Sequence, residues 1–305
     1  MYNYLFYLLY LIIILFLISY IYKLFINNYF IENDHINYDK YKDCIQYVSK
    51  DNFYMNYGYW DNQNLKLEQA NENLINYMLI LIKESIIEDN SIRLLHIGCG
   101  YGIQDFYWIK NLPNNTKITA IDISKNQINS AKSKINSSYM GKLDFIECDA
   151  MNIHNQFENQ QFDCIVSLES AFHYKNRNVF FKHVRKLLKN DGTFIIADIV
   201  LSNPTNDESI FKMCSMKLFV KLFSDFFNIP SENLITEKEW NIQINNSGFK
   251  MKESYNLTKN TFIPYYKYYF KEYIKNLNYS DYIAKTLINI FSYCQPFSYV
   301  VATYN

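Results

Sequence analysis

From Tyr4 to Tyr22 the chain carries no charged side chain, and Leu11 to Ile18 is almost wholly aliphatic. At ~1.5 Å per residue, a helix over such a run reaches across the ~30 Å core of a bilayer. Apolar residues on every face argue against an ordinary amphipathic helix. Residues 1–23 are therefore expected to form a transmembrane anchor. Lys23 follows the run directly and nothing basic precedes it, which points the rest of the chain to the cytoplasmic side. Residues 24–52 are polar and rich in Tyr, and read as a tether running into a first helix.

Beyond Asn64 the periodicity alternates. Leu65 to Ile87 repeats apolar residues at helical spacing (Leu74, Ile75, Met78, Leu79, Ile82). Ile92 to Ile97 is a short apolar run ending in glycines, which predicts a buried strand. A helix over Ile103 to Lys110 follows, then a strand over Lys117 to Ile121 and a helix capped by Ser124. Further strands are expected over Leu143–Glu147, Phe162–Leu168 and Thr193–Val200. A helix over Val179–Leu188 stops at the turn signal Asn190-Asp191-Gly192. Glu237–Asn245 reads as a helix, Lys250–Leu257 and Phe297–Tyr304 as the last strands. This order predicts an α/β fold: a Rossmann-like, seven-stranded, mostly parallel sheet with helices on both faces. Residues 53–305 form that domain. The aromatic stretches 201–235 and 258–296 lie outside the alternation, where lids over a ligand crevice are expected.

Composition narrows the partners. Lys plus Arg equals Asp plus Glu, 30 against 30, and the only arginines are Arg93, Arg177 and Arg185. That leaves no electrostatic footprint for nucleic acid. Six dispersed cysteines form no CxxC pair and no metal site is legible, so reduced thiols and no bound metal are expected. His35, His154 and His183 have no partner by spacing and read as surface or structural.

The chemistry starts at Gly98-Cys99-Gly100-Tyr101-Gly102, a glycine turn between strand and helix that lets a ligand approach the backbone. Position 103 is Ile, so the dinucleotide pattern GxGxxG is absent. Asp122 ends the next strand, where a carboxylate accepts the two hydroxyls of a ribose. Asp149 ends the third, within reach of a base edge. Leu94-Leu-His-Ile-Gly-Cys-Gly-Tyr-Gly102, Ile118 to Ser124, Cys148-Asp-Ala150, Phe162 to Tyr174 and Leu187 to Asp198 together resemble five ordered motifs of the class I S-adenosylmethionine-dependent methyltransferases. The resemblance covers about Asn52 to Asn305. It implies S-adenosyl-L-methionine as cofactor, held by His96, Gly98, Cys99, Gly100, Gly102, Asp122, Ile123, Asp149, Ala150, Met151, Leu168 and Glu169. His96 stands where the family usually has an acid, and an imidazole can also hydrogen-bond the cofactor's carboxylate.

Leu168-Glu-Ser-Ala-Phe-His173 is similar to the small-molecule subgroup acting on sterols, tocopherols, quinones, sugars and sarcosine, as is Asn56-Tyr-Gly-Tyr-Trp-Asp61. The Asn/Asp-Pro-Pro-Tyr/Phe signature of nucleic-acid and glutamine enzymes is absent. In this reading His173 is the general base, with Asp198 as its orienting partner or an alternative base. Tyr54, Tyr57, Tyr59 and Trp60 are expected around the acceptor, since aromatic faces attract cations. The anchor favours a lipophilic acceptor such as a sterol, isoprenoid quinone or lipid headgroup. A small polar amine or alcohol, and a non-catalytic cofactor-binding scaffold, stay open as alternatives.

Overall fold

The computed structural model describes residues 54–62, 64–86, 91–203, 229–276 and 296–305, together with 31–32, 35–36 and single positions between 216 and 224. The expected anchor over 1–23 lies outside the described residues, as do most of the tether and much of both lids. Within the tether, Ile31–Glu32 and His35–Ile36 pair as a short antiparallel ladder. Among the described residues no helix is long and apolar enough to cross a membrane.

The sheet has seven strands: β1 (Ile92–Ile97), β2 (Thr116–Asp122), β3 (Leu143–Glu147), β4 (Phe162–Leu168), β5 (Leu188–Leu201), β6 (Met251–Asn256) and β7 (Phe297–Tyr304). Their order is β3-β2-β1-β4-β5-β7-β6. The first five are parallel, as alternating helices require. β7 runs antiparallel between β5 and β6. Order therefore reverses beside β1, so the tips of β1 and β4 diverge into a crevice, the place where open α/β sheets bind ligands.

The edge strand β6 is largely exposed, while both faces are buried through the middle of the sheet. On one, α1 (Leu67–Ser85), α2 (Ile103–Asn111) and α3 (Lys125–Lys132) pack over Leu94, Val166, Ile195 and Ala197. On the other, α4 (Ile153–Gln156), α5 (Arg177–Leu187) and α6 (Glu237–Asn245) cover Leu95, Ile165, Phe194 and Ile196. α7 (Phe262–Asn276) falls in the second expected lid. The expected cap is present, the Ser124 hydroxyl accepting from the Gln127 amide, and the structure adds a reciprocal capping box of Thr236 and Glu239 on α6.

The turn expected at Asn190-Asp191-Gly192 is instead absorbed into β5. β4 advances from Phe162 to Cys164 while β5 advances from Leu188 to Thr193, so the extra residues bulge out of the ladder. The turn chemistry is thus used within a strand rather than between elements.

Candidate active site

The glycine turn is shaped by its neighbours. Gly98 and Gly102 both have positive φ, +79° and +69°. A Cβ on Gly98 would lie 2.4 Å from that of Ser170, and one on Gly102 would lie 2.4 Å from the Phe145 ring. These glycines let the backbone press against β4 and β3. Gly100 differs: a Cβ there would meet nothing nearer than the Met55 sulfur at 3.6 Å. Its backbone faces a cradle, and its amide donates to Asp122 Oδ2 at 2.8 Å. Asp122 Oδ1 accepts the Ser124 amide at 2.9 Å. One carboxylate thereby ties the tip of β2 to the glycine turn, and each oxygen keeps a lone pair for a ligand hydroxyl. Ile123 beside it is exposed. Asp149 Oδ1 caps the turn Ala150–Asn152 by accepting the Met151 amide. The open cradle at Gly100 and the acidic tips of β2 and β3 fit S-adenosylmethionine.

His96 sits elsewhere than expected. It is fully buried, packed on Trp108, and its Nδ1 lies 2.8 Å from Asp105 Oδ1. Asp105, in the first turn of α2, escaped the sequence reading. Burial pushes its carboxyl up and His96 opposes that. The pair lies inside the core and not on the crevice surface. Cys99 is also buried, and its thiol is pushed up by burial and by Asp105, so it is no nucleophile.

The β4 side is built from distant segments. Leu168 is buried at the tip of β4, and Glu169 follows in the left-handed region with φ +52°. Its Oε1 accepts from the Tyr299 hydroxyl at 2.6 Å, and both oxygens take the Tyr57 amide, at 3.0 and 3.1 Å. Burial pushes its carboxyl up to about 8, with the two donors pulling the other way. Residues 55–57 cross the crevice as a strap. Met55 sits over Gly100 and takes a contact from Gln127 Nε2, and Tyr57 is bound to Glu169.

Of the four aromatics expected around the acceptor, only Tyr57 turns to this site. Its ring meets Phe262 and Tyr265 edge-on, each at 4.9 Å. Tyr59 stacks on Tyr77 of α1, Tyr54 bonds Glu72 of α1, and Trp60 packs on Tyr268 of α7. Those three hold the strap down, because their rings find apolar helix faces before they find the crevice.

His173 ends the short turn Ala171–His173 and lies half-buried on Phe172, ring centroids 4.1 Å apart. Asp198 does not orient it. The Asp198 carboxylate is held by Arg177 at 2.8 Å, the Trp240 indole at 2.9 Å and the Ile199 amide at 3.0 Å. This is a structural ion pair and corrects the expected role. Burial pulls the carboxyl up and the guanidinium down, while pairing opposes both. Arg177 also donates to the Asn233 carbonyl, and the Asn233 side chain donates to the Phe172 and Tyr174 carbonyls at 3.0 and 2.8 Å. Asp198 is thus the foundation of the turn that carries His173.

His154 and His183 do have partners: their rings meet between α4 and α5, centroids 5.6 Å apart and tilted by 31°. Cys99, Cys148 and Cys164 are free thiols.

The family described as "Methyltransferase domain" matches residues 95–196. A relative, erythromycin 3''-O-methyltransferase of Saccharopolyspora erythraea, is 29% identical over 72% of this chain and 69% of its own length. Fatty-acid O-methyltransferase of Mycolicibacterium smegmatis is 25% identical over 48% of this chain, which spans about half of that relative, 52%. A solved structure of a sarcosine dimethylglycine methyltransferase from Galdieria sulphuraria superposes with a TM-score of 0.68 at 12% identity, covering 86% of this chain and 96% of its own. Together with the glycine cradle, the acidic strand tips and the strand order, these matches give residues 95–196 as a methyltransferase domain with S-adenosylmethionine as its cofactor, and the chain is similar to the class I S-adenosylmethionine-dependent methyltransferases.

Proposed function

We propose that the chain methylates an oxygen of a small lipophilic molecule at a membrane surface. The observation that carries the acceptor class is the aromatic cluster beside the tip of β4, where Tyr57, Phe262, Tyr265 and Tyr299 pack edge to face and the Tyr299 hydroxyl meets Glu169. Such a cluster excludes water and favours apolar surface. The O-methyltransferases among its relatives support the oxygen, and the uncharged run Tyr4–Tyr22 supports the membrane.

The cofactor supplies an already activated methyl group. The protein's residues then have three tasks: hold the nucleoside on Gly100, Asp122 and Asp149, align the acceptor, and accept a proton where the acceptor is a hydroxyl. Among the described residues His173 and Glu169 are the imidazole and the carboxyl nearest that edge.

A second reading has its own support. Aromatic rings beside a carboxylate also suit a small cationic amine. The purified chain incubated with methyl-labelled S-adenosylmethionine and a cell extract decides between them. Label is expected in the organic phase; label confined to the aqueous phase would sink the lipophilic acceptor. Full-length chain is expected to sediment with membranes and a chain lacking 1–23 to stay in the supernatant. Equal partition of the two would remove the anchor.

A further inference from the structure

We propose that Glu169 is a catalytic residue, the acceptor of the proton lost from the substrate hydroxyl, and that Tyr299 is its positioning residue. The proposal rests on the methyl-transfer reading above. In the step, the substrate oxygen bonds to the methyl carbon and the carbon–sulfur bond breaks, leaving its electron pair on sulfur as a thioether. The O–H proton passes to a Glu169 carboxylate oxygen, so charge is conserved.

Three independent features point to this residue. The first is place: Glu169 is the first residue past β4, at the crevice, under the strap that runs from Met55, over Gly100, to Tyr57. The second is backbone. A non-glycine residue at φ +52° costs roughly 1 kcal/mol or more, and such strain persists where the surroundings hold a side chain in one position. The third is wiring. Tyr299 Oη lies 2.6 Å from Oε1 and the Tyr57 amide spans both oxygens. In the ionised form the phenol donates to Oε1. In the protonated form Oε1 can donate back to the phenol, and Oε2 keeps the Tyr57 amide. The carboxyl can therefore gain a proton without losing a hydrogen bond, which few buried acids can do.

Among the described residues Glu169 forms no ion pair, so burial dominates and the carboxyl is pushed up to about 8. A base poised near the working pH is the efficient case. The titratable groups facing it are phenols, Tyr265 from α7 and Tyr299 from β7, while the strap presents only the Tyr57 backbone amide. Burial and the Glu169 charge push Tyr265 and Tyr299 up, and Asp198 adds to the rise at Tyr299.

The test uses the whole chain. First, carboxyl infrared absorption of the cofactor-free protein is followed against pH, wild type against Glu169→Gln. The expected result is a protonated-carboxyl band that disappears near pH 8 and is missing from the variant; a band lost near pH 4.5 overturns the proposal. Second, transfer of labelled methyl to the extract phase that takes label is measured, with S-adenosylhomocysteine affinity by calorimetry. Glu169→Gln is expected to lose at least about 10²-fold in kcat with affinity kept within about threefold. Tyr299→Phe should move the inflection of the kcat–pH profile upward, because a donor to the carboxylate is gone. A Glu169→Gln rate near wild type, or a larger loss in His173→Ala at the same pH, returns the role to His173. If wild type binds no S-adenosylhomocysteine, the methyl-transfer reading fails as well; if wild type binds and transfers, only the Glu169 assignment is at stake.

Discussion

The two halves of the crevice are built on opposite plans. The half under β1, β2 and β3 is wired by neighbours in sequence: Asp122 to Gly100 and Ser124, and Asp149 to Met151. Its holding groups are backbone amides and short side chains at strand tips. The half under β4 and β5 is wired across the chain. Glu169 takes Tyr57 and Tyr299 from 112 and 130 residues away, and Asn233 reaches back 61 residues to Phe172. A shared cofactor needs one fixed grip, whereas an acceptor pocket can differ with whatever segments fold over it. The difference teaches that cofactor binding and acceptor handling should fail separately.

Asp198→Ala gives the largest expected effect. It strands the buried Arg177 guanidinium, and breaking a buried pair on one side costs about 3–5 kcal/mol. Thermal melting should fall accordingly, and methyl transfer should fall with it as the His173 turn loosens. Where the protein stays folded, S-adenosylhomocysteine affinity should hold; a loss of affinity equal to the loss of rate would merge the two halves into one unit.

Gly102→Ala comes next. The new methyl meets the Phe145 ring and Ala131, and φ +69° is unfavourable to alanine, so overpacking of about 1–3 kcal/mol is expected in urea unfolding. Gly100→Ala has room, and should cost only about 1 kcal/mol from its φ of +57°. It should nonetheless weaken S-adenosylhomocysteine binding, because the methyl enters the cradle. Equal stability losses in the two variants would refute the open cradle.

Asp122→Ala should lower S-adenosylhomocysteine affinity at least about tenfold by calorimetry, the value of one charged hydrogen bond, with transfer at saturating cofactor little changed. An unaffected dissociation constant would move the ribose contact elsewhere.

The most gradual effect is a slope, spread over the interval between about pH 4.5 and 8. Glu169 holds its proton in the fold up to about pH 8, while the unfolded chain releases it near 4.5. The fold therefore binds more protons than the unfolded chain between those values, and stability falls as pH rises through that window. Glu169→Gln lacks this slope, so its melting temperature should gain on wild type from about pH 4.5 and level off above about 8. Parallel melting curves would mean the carboxyl is not buried as described.

This contrast also explains what could be read from the sequence. β1, β3, β4, α6 and β7 have the predicted ends, because each is a short apolar or capped run with local punctuation. Asp122 and the three glycines could be placed because strand, turn and carboxylate lie close along the chain. Asp198 was misassigned because a carboxylate at a strand end reads alike whether it meets solvent or a buried Arg177. The scarcity of arginine was the one signal that Arg177 has a special task. Tyr299 and Asn233 offered no signal, since one sits in an apolar run and the other after a long stretch with no periodicity. Trp60 and Tyr59 looked like pocket residues because aromatics on a turn do not reveal which way they face.

One feature of the sheet bears on how the molecule is made. β7 follows both β5 and β6 along the chain, yet it lies between them and delivers Tyr299. Until it inserts, both neighbours expose unpaired edges, and pairing over so long a separation is slow. A ribosome-bound intermediate would already have its nucleoside grip but neither its inner edge nor its proton acceptor's partner, which makes that interval the natural moment for chaperone capture or aggregation.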